Sequence, residues 1–406
     1  MTHPSAVDLD PACPERAGDA ADAQTTSALA LAPHRVRFDA IPRATWDAMA
    51  GRTPWSTPFS RWSFHRAWWD AYGANAHDDT LVVAAAGAPD LLDPAALVAI
   101  VPLMHRHAVE PTDAATHTAL RGPDQGPMTA VAPTAKALFF GASYHADYAT
   151  ILAAPADLPA VARAVAEALA APPDPFADHP DPWDVVDLRR LRVADPALAA
   201  LEAALHAAAA EAGWKVVVDH EDVCPVVTLH EGLDFDGFLA TLGKKERHEI
   251  RRKVRRAEAA GALALDPSAD PLADLDAFID LHQRRWGADG LFPPTEGGAM
   301  SRRFFARLFE LAGEDGGLDL RFLTVDGRRI AAGVGFETAD TVYYYNAGVD
   351  PDARELSPGV VMVALYVRDT IEHGRRRLAF LRGDEAYKYE WGAVDEPIRR
   401  ILVTRD

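Results

Sequence analysis

The sequence contains little cysteine and little lysine. Two cysteines, Cys13 and Cys224, stand far apart in 406 residues, which excludes a disulfide framework and a cysteine metal cluster. This cysteine usage predicts a reducing, cytoplasmic compartment. Lysine supplies only six of the 41 basic residues, and the net charge is −19. A chain this acidic lacks the positive footprint that wholesale binding of nucleic acid or anionic membrane requires.

Long apolar runs are also missing. No run approaches the ~18 apolar residues of a membrane span, so we expect no membrane insertion. Residues 1–33 are rich in Ala, Asp, Pro and Thr and lack a basic start, so we expect a disordered tail rather than a secretory leader. The rest, in a chain that is 49% hydrophobic, suffices for two cores. We therefore predict two domains, residues 34–225 and 226–406.

The second half has the clearer pattern of elements. Strand, helix, helix, three antiparallel strands, helix and strand are predicted over residues 263–265, 271–286, 302–312, 318–325, 329–337, 341–347, 358–373 and 378–381. Asp326-Gly327 between two apolar strands is a strong hairpin signal. The first half repeats this order less regularly over residues 34–39, 64–72, 80–86, 96–104, 158–171 and 183–188. The repetition indicates a tandem duplication of one α/β unit.

A basic helix opens the second half. Residues 235–260 read as one helix, and between Lys244 and Arg256 it carries eight basic residues against two glutamates. This segment is either a contact for a polyanion such as RNA, or a solvated face or clamp on the acidic neighbouring domain.

A charged turn follows the predicted strand at residues 378–381. Lys388 in this turn is the only lysine after Lys253, in a chain that otherwise uses arginine. Lysine is a compact point charge, whereas arginine is a planar fork, so its retention here suggests a specific role. Ligands bind at the carboxyl ends of strands in α/β sheets. The alternative is a solvated loop that closes the last strands.

A second feature is the predicted helix start at Pro358. Ser357 is a good N-cap residue and Pro358 suits the first helical position. Such a terminus can hold an anion, although it can also be simply a well-capped helix. On the preceding strands, Tyr343 to Asn346 offer one face to the core and one to a pocket, and Gly333 and Gly335 permit close approach of a ligand or backbone.

This order of elements resembles the GNAT acyltransferase superfamily, and Arg354-x-x-Ser357-Pro358-Gly359 is similar to its pyrophosphate loop. More specifically, the chain resembles the CelD-type acetyltransferases associated with cellulose and exopolysaccharide synthesis, which are tandem GNAT proteins related to Fem-type aminoacyl transferases. The resemblance covers roughly residues 35–400 and is carried by residues 57–69, 244–261, 285–286, 344–348 and 380–392.

The resemblance implies two tandem GNAT-like α/β domains, each a mixed, mostly antiparallel sheet flanked by helices, with a catalytic C-terminal and a degenerate N-terminal repeat. It implies acetyl-CoA as acyl donor and an amine or hydroxyl of a small molecule or glycan precursor as acceptor. Ser357 stands where the family has its first loop glycine, and Pro358 has no N–H. The alternatives are therefore a Fem-type transferase that uses aminoacyl-tRNA, the only reading with a nucleic-acid partner, and a non-catalytic binding protein.

Acyl transfer requires donors for an oxyanion and a proton acceptor. Candidate donors are Lys388 and the backbone N–H groups beside Tyr345 to Ala347. Asp384 is the preferred base, ahead of Glu385 and Glu337, and Tyr345 or Tyr387 is the candidate acid for the thiolate. The remaining candidates are Arg354, Ser357 and Gly359 for the cofactor, and Glu337, Arg382, Tyr387, Trp391 and Trp286 for the acceptor. No metal is expected, since His105 and His107 lack further ligands nearby.

Overall fold

The computed structural model describes residues 30–106, 136–173, 182–315 and 317–405. Its strands are β1 (Leu31–Arg35), β2 (His77–Asp78), β3 (Leu81–Ala85), β4 (Leu97–Val101), β5 (Leu103–Arg106), β6 (Ala137–Phe140), β7 (Leu152–Ala153), β8 (Val185–Arg192), β9 (Trp214–Thr228), β10 (Leu263–Pro267), β11 (Leu318–Val325), β12 (Arg328–Glu337), β13 (Thr341–Val349), β14 (Arg377–Ala379) and β15 (Val394–Arg405). Its helices are α1 (Arg43–Arg52), α2 (Trp62–Tyr72), α3 (Leu158–Ala170), α4 (Pro196–Ala212), α5 (Phe235–Thr241), α6 (Lys244–Ala260), α7 (Leu275–Trp286), α8 (Glu296–Glu314), α9 (Pro358–Glu372) and α10 (Ala386–Tyr389). None of these helices is long and apolar enough to cross a membrane.

One large sheet runs through both halves of the chain. Its eleven strands lie in the order β10-β11-β12-β13-β14-β9-β15-β8-β6-β5-β2, and β1-β3-β4-β7 form a second, four-stranded sheet. The long strands β9 and β15 pair antiparallel at the centre, and β15 also pairs with β8. Arg400 on β15 and Asp187 on β8, both fully buried, form an ion pair across these strands. The predicted domain boundary at residue 225 falls inside β9, so the sheet does not end there.

Two parallel strand pairs interrupt this mostly antiparallel sheet. In the second half, β13 and β14 pair over Thr341–Tyr343 and Arg377–Ala379 and then diverge. In the first half, β6 and β8 pair in the same way, and the chain rejoins β8 at the bridge from Ala149 to Leu191. Residues 141–148 leave the sheet between these two points, and all of them are buried. The first half therefore fills its own divergence point with main chain and side chains.

A shared apolar core holds the two halves together. Phe64 on α2 contacts Phe304 on α8 edge to face, with ring centroids 5.3 Å apart. Phe59 meets Phe336 of β12 in the same way at 5.8 Å. Burial of one such side chain contributes about 1.5–3 kcal/mol, so this aromatic cluster fixes the first half against the second.

Several local predictions are confirmed. The hairpin at Asp326-Gly327 joins β11 to β12, β13 extends it, and α9 begins at Pro358. The single helix predicted over residues 235–260 is wrong, because Leu242 is extended and Gly243 is the non-helical N-cap of a second helix, α6. The predicted strand at residues 96–104 is likewise broken at Pro102, which divides β4 in the small sheet from β5 in the large one.

The prediction that residues 1–33 form a disordered tail needs a correction at residues 31–33. Strand β1 begins at Leu31 and pairs Leu31 to Pro33 with Ala85 to Val83, so residues 31–33 belong to the small sheet. The strand predicted at residues 34–39 is therefore displaced, and Phe38–Ala40 form a short 3-10 helix instead. Residues 1–29 lie outside the described part of the chain.

Candidate active site

A cavity of about 540 Å³ opens where β13 and β14 diverge. Both halves of the chain line it. The lining residues are Tyr344, Tyr345, Asn346 and Ala347 of β13, His282, Arg285 and Trp286 of α7, Asp289 and Leu291 after it, Gly359, Val360 and Val363 of α9, Phe380, Arg382, Glu385, Tyr387, Lys388 and Trp391, and Tyr144, His145 and Asp147 of the first half. The carboxyl ends of parallel strands thus meet a helix start at one opening, as the sequence predicted.

A β-bulge shapes the wall of the cavity formed by β13. Val334 pairs with Asn346 and Gly335 pairs with Tyr344, so Tyr345 is an extra residue without a partner in β12. Gly335 permits this bulge, because a Cβ there would lie 2.5 Å from the Tyr343 carbonyl oxygen. Bulges leave backbone groups outside the ladder and redirect side chains. Tyr344 and Tyr345 therefore both line the cavity, instead of alternating as in a regular strand.

The start of α9 differs from a conventional capped helix. Ser357 has a left-handed backbone (φ 54°, ψ 52°), and its side chain makes no capping hydrogen bond, contrary to the sequence-based expectation. Its hydroxyl oxygen instead accepts a hydrogen bond from Arg256 of α6 at 2.8 Å. The N–H groups of Val360 and Val361 both donate to the Ser357 carbonyl. Gly359 lines the cavity, whereas Arg354 is exposed and lies outside its lining.

Lys388 is the main correction to the predicted site. The sequence suggested that this ammonium is an oxyanion donor, but the residue is 2% exposed. Its Nζ donates to the carbonyl oxygens of Leu381, Arg382 and Gly383 at 3.0, 2.8 and 2.9 Å. It also lies 2.8 Å from a carboxylate oxygen of Glu385. An ammonium has three protons, and these acceptors use them, so Lys388 holds the turn rather than offering a free donor to the cavity.

The turn that Lys388 holds is conformationally strained. Leu381 has φ 59° and Gly383 has φ 107°, and the left-handed region is costly for a leucine. The three carbonyls that converge on Lys388 belong to this turn, so the ammonium stabilises it. The turn aims Arg382 at the cavity, where its Nε lies 3.3 Å from Asp147 of the first half.

The two acidic neighbours in this turn are placed differently. Glu385 lines the cavity, and its side chain is 44% exposed. Asp384 does not line the cavity. Burial raises the pKa of Asp384, and the nearby carboxylates Asp222, Glu385 and Asp395 raise it further. The geometry therefore does not support Asp384 as the base that contacts an acceptor in this cavity.

The two candidate phenols are poorly suited to protonate a thiolate. The Tyr345 hydroxyl donates to the His145 carbonyl at 2.9 Å, and burial raises the pKa of Tyr345 well above its ordinary value. Burial also raises the pKa of Tyr387. Tyr345 instead ties β13 to residues 144–147 of the first half, and its ring stacks on Phe305.

The predicted acceptor-binding residues separate into two groups. Arg382, Tyr387, Trp391 and Trp286 line the cavity, and Trp286 is 44% exposed at its rim. Glu337 does not line this cavity, because it is engaged in ion pairs with Arg321 and Arg375 at the end of β12. A carboxylate held by two arginines serves the local packing of β11 and β12.

Asp147, His145 and His282 are among the lining side chains that the sequence did not predict. Gly348 brings His282 into place, because a Cβ there would lie 2.3 Å from the His282 backbone nitrogen, so α7 lies directly on β13. Burial lowers the pKa of His282 to about 4 and that of His145 to about 3. Both imidazoles are therefore neutral near pH 7. The helical position of His282 was visible in the sequence, but no signal there pointed to residues 145 and 147.

Comparisons with known proteins agree with this geometry. Residues 244–389 match the family model of an acetyltransferase (GNAT) domain. These residues form a GNAT-type acetyltransferase domain, and they include β13, α9 and the turn at residues 381–388. No curated protein matches the chain. Among the described residues, no group of three or more His, Cys, Asp or Glu side chains has the arrangement of a metal site.

Solved structures resemble most of the chain. FemX aligns with a TM-score of 0.52 and 12% identity, over 88% of this chain and 96% of FemX. A conserved protein of unknown function from Bacteroides thetaiotaomicron aligns with a TM-score of 0.53 and 14% identity, over 90% of this chain and 98% of that one. A tandem GNAT protein from the clavulanic acid biosynthesis pathway aligns with a TM-score of 0.43 and 12% identity, over 92% of this chain and 98% of that one. The predicted fold class, α/β with mixed, mostly antiparallel sheets flanked by helices, is confirmed by the strand order and by the likeness to the FemX fold.

Proposed function

We propose that this protein transfers an acyl group, acetyl in the simplest case, from a coenzyme A thioester to an amine or hydroxyl of a small molecule or glycan precursor, in a cytoplasmic setting. One observation carries the proposal. Within the acetyltransferase domain, two parallel strands diverge beside the start of α9 and leave an open cavity of about 540 Å³. The first half has the same divergence but fills it with residues 141–148. The asymmetry supports one working site, as in the CelD-type proteins that the sequence resembles.

The wall of the cavity supplies what a thioester needs. In acyl transfer, negative charge develops on the carbonyl oxygen and requires fixed donors. The bulge at Tyr345 leaves backbone groups of β13 outside the ladder beside the cavity. Arg382 adds a guanidinium at the opposite strand end, held by Lys388 through the turn. We assign Lys388 the role of positioning this turn, and the backbone of residues 345–347 the role of oxyanion donor.

The start of α9 is the proposed place for the donor's pyrophosphate. Gly359 faces open space, since a Cβ added there would meet only Val349 at 3.9 Å. A longer side chain at this position would extend into the cavity without a clash in the fold. Gly313 on α8 is a matched control, because a Cβ there meets no atom within 4 Å and the residue lies outside the cavity lining.

The test is a thermal-shift titration with coenzyme A, acetyl-CoA and longer acyl-CoAs. A ligand at 100 times its Kd stabilises the fold by about 2.7 kcal/mol. We expect a rise in Tm for the wild type and for Gly313→Leu, and no rise for Gly359→Leu. If no CoA species raises the Tm of the wild type at millimolar concentration, the donor is not a CoA thioester.

A second candidate function is a Fem-type transfer from aminoacyl-tRNA. The observation in its favour is helix α6, which buries Ile250, Val254 and Ala257 and turns its basic side chains outward. Part of this charge is already used, since Arg251 pairs with Asp236 and Arg252 with Glu249. A small basic surface on an acidic protein makes this the weaker candidate. Salt-dependent binding of aminoacyl-tRNA would favour it.

A further inference from the structure

The first half of the chain places a buried carboxylate in the cavity of the second half. Asp147 lies in the segment of residues 141–148 that leaves the large sheet, and it is 8% exposed. It lines the cavity beside Arg382. Asp147 Oδ1 lies 3.3 Å from the Arg382 Nε, which is long for an ion pair. Neither oxygen of the Asp147 carboxylate is a buried atom without a partner. Its remaining oxygen surface therefore faces the open cavity.

The segment that carries Asp147 is fixed rather than loose. The His145 carbonyl accepts the Tyr345 hydroxyl at 2.9 Å, which ties the segment to the bulge of β13. The Ala146 carbonyl accepts a hydrogen bond from Arg190 Nε at 3.3 Å, which ties it to β8. Asp147 is thus held between the strand that would bind the thioester carbonyl and the turn that presents Arg382.

The electrostatic surroundings of Asp147 suit a proton acceptor. Burial raises the pKa of Asp147, and the cations Arg382, Arg190 and Lys388 oppose this rise, while Asp222 adds to it. A carboxylate of raised pKa is a stronger base than one in water. Of the other lining carboxylates, Glu385 pairs with Lys388 and its side chain is 44% exposed, and Asp289 is exposed in the segment after α7.

We propose that Asp147 of the first half is the catalytic base of the cavity in the second half, taking the proton of the acceptor nucleophile. This inference rests on the proposed acyl transfer. The acceptor's N–H or O–H gives its proton to the Asp147 carboxylate while the nitrogen or oxygen lone pair forms a bond to the acyl carbon. The C–S bond then breaks, its electron pair goes to sulfur, and the thiolate takes up a proton from solvent. Asp147 returns its proton to solvent, so the products are the acylated acceptor and free coenzyme A.

The role also explains why the first half is retained. In the described part of the chain, residues 141–148 fill its own divergence point. The same filling segment supplies Asp147 to the neighbouring cavity. The two repeats would then form one site, with the donor bound by the second half and the base supplied by the first.

The experiment uses hydroxylamine, a small nucleophile with both an amine and a hydroxyl, together with acetyl-CoA, and measures hydroxamate formation. We expect Asp147→Asn to lower kcat by about 10² or more, the lower range for loss of a general base. Asp147→Glu, which keeps the carboxylate, should recover part of the rate. Asp319→Asn is the matched control, because Asp319 is also an arginine-paired carboxyl with a pKa raised by burial, and it lies outside the cavity lining.

A pH profile and a binding measurement separate a base from a structural residue. The activity of the wild type should rise with pH as Asp147 ionises, and the pH profile of Asp147→Asn should lack this rise. The increase in Tm that coenzyme A causes should be the same in Asp147→Asn as in the wild type. The inference is overturned if Asp147→Asn keeps the wild-type rate, if it loses coenzyme A binding, or if the wild type binds coenzyme A but forms no hydroxamate. If the wild type does not bind coenzyme A, the proposed function is wrong, and this inference fails with it.

Discussion

Replacing Lys388 by methionine should destabilise the protein strongly while keeping the volume of the side chain. The substitution removes the donor for three backbone carbonyls, those of Leu381, Arg382 and Gly383, at a residue that is only 2% exposed. A hydrogen bond from a charged group contributes about 1.5–3 kcal/mol, and these three share one donor, so their losses do not add fully. The Glu385 pair adds little, since that carboxylate is largely exposed.

We therefore expect a loss of about 3–5 kcal/mol in the free energy of unfolding, the range for breaking a buried charged contact. At about 2–4 °C per kcal/mol, the Tm should fall by roughly 6–20 °C. Calorimetry and urea unfolding measure this loss directly. Lys215→Met is the control, because Lys215 is exposed on β9, and its Tm should change by less than about 1 °C. A Lys388→Met variant that melts within about 2 °C of the wild type would refute the argument that the ammonium holds this turn.

Three further outcomes follow from the structure. Burial lowers the pKa of His65 and His145 from 6.5 to about 3, so the unfolded chain takes up protons below pH 6.5 that the folded chain does not. Stability should fall by about 1.5 kcal/mol for each histidine between pH 6.5 and 5, and a pH series of urea midpoints that stays flat over this range would contradict the burial of neutral imidazoles. Deleting residues 1–29 should leave the Tm unchanged. Deleting residues 1–35 removes β1 and should lower the Tm by several degrees. If both variants have the same Tm, β1 adds no stability. Reversing the charge of Arg251 on α6 should leave acyl transfer from acetyl-CoA unchanged, and a loss of activity that tracks salt would favour a polyanionic donor instead.

Local signals predicted the parts of the fold that depend on local chemistry. The Asp326-Gly327 hairpin and the start of α9 at Pro358 were read correctly, because turn residues and helix starts act over a few positions. The break at Gly243 was missed, since a glycine inside a helical pattern does not by itself decide whether the helix continues. Strand β15 was also missed, because its partners β8 and β9 lie far upstream and its pattern carries no turn signal.

Most of the predicted site residues lie around one cavity, but Asp384, Glu337, Arg354 and Ser357 do not line it. The charged turn after β14 does lie at the cavity, and Lys388 does belong to it. The sequence shows that a lysine is present, but not that its ammonium points inward at three carbonyls. The sequence did not predict Asp147, because no motif lies near it in the sequence. Asp147 comes to lie beside Arg382 only when the two halves pack together.

The central position of β15 has a consequence for how this chain is made. During synthesis the first half leaves the ribosome with the edges of β8 and β9 uncovered, and the strand that lies between them is translated much later. Uncovered strand edges pair readily with other chains. Arg400, which neutralises the buried Asp187, arrives with the same late strand. A chain that lacks the residues from 394 onward would therefore leave both of these strand edges uncovered, so nascent chains of this protein are expected to depend on chaperones until β15 has been translated.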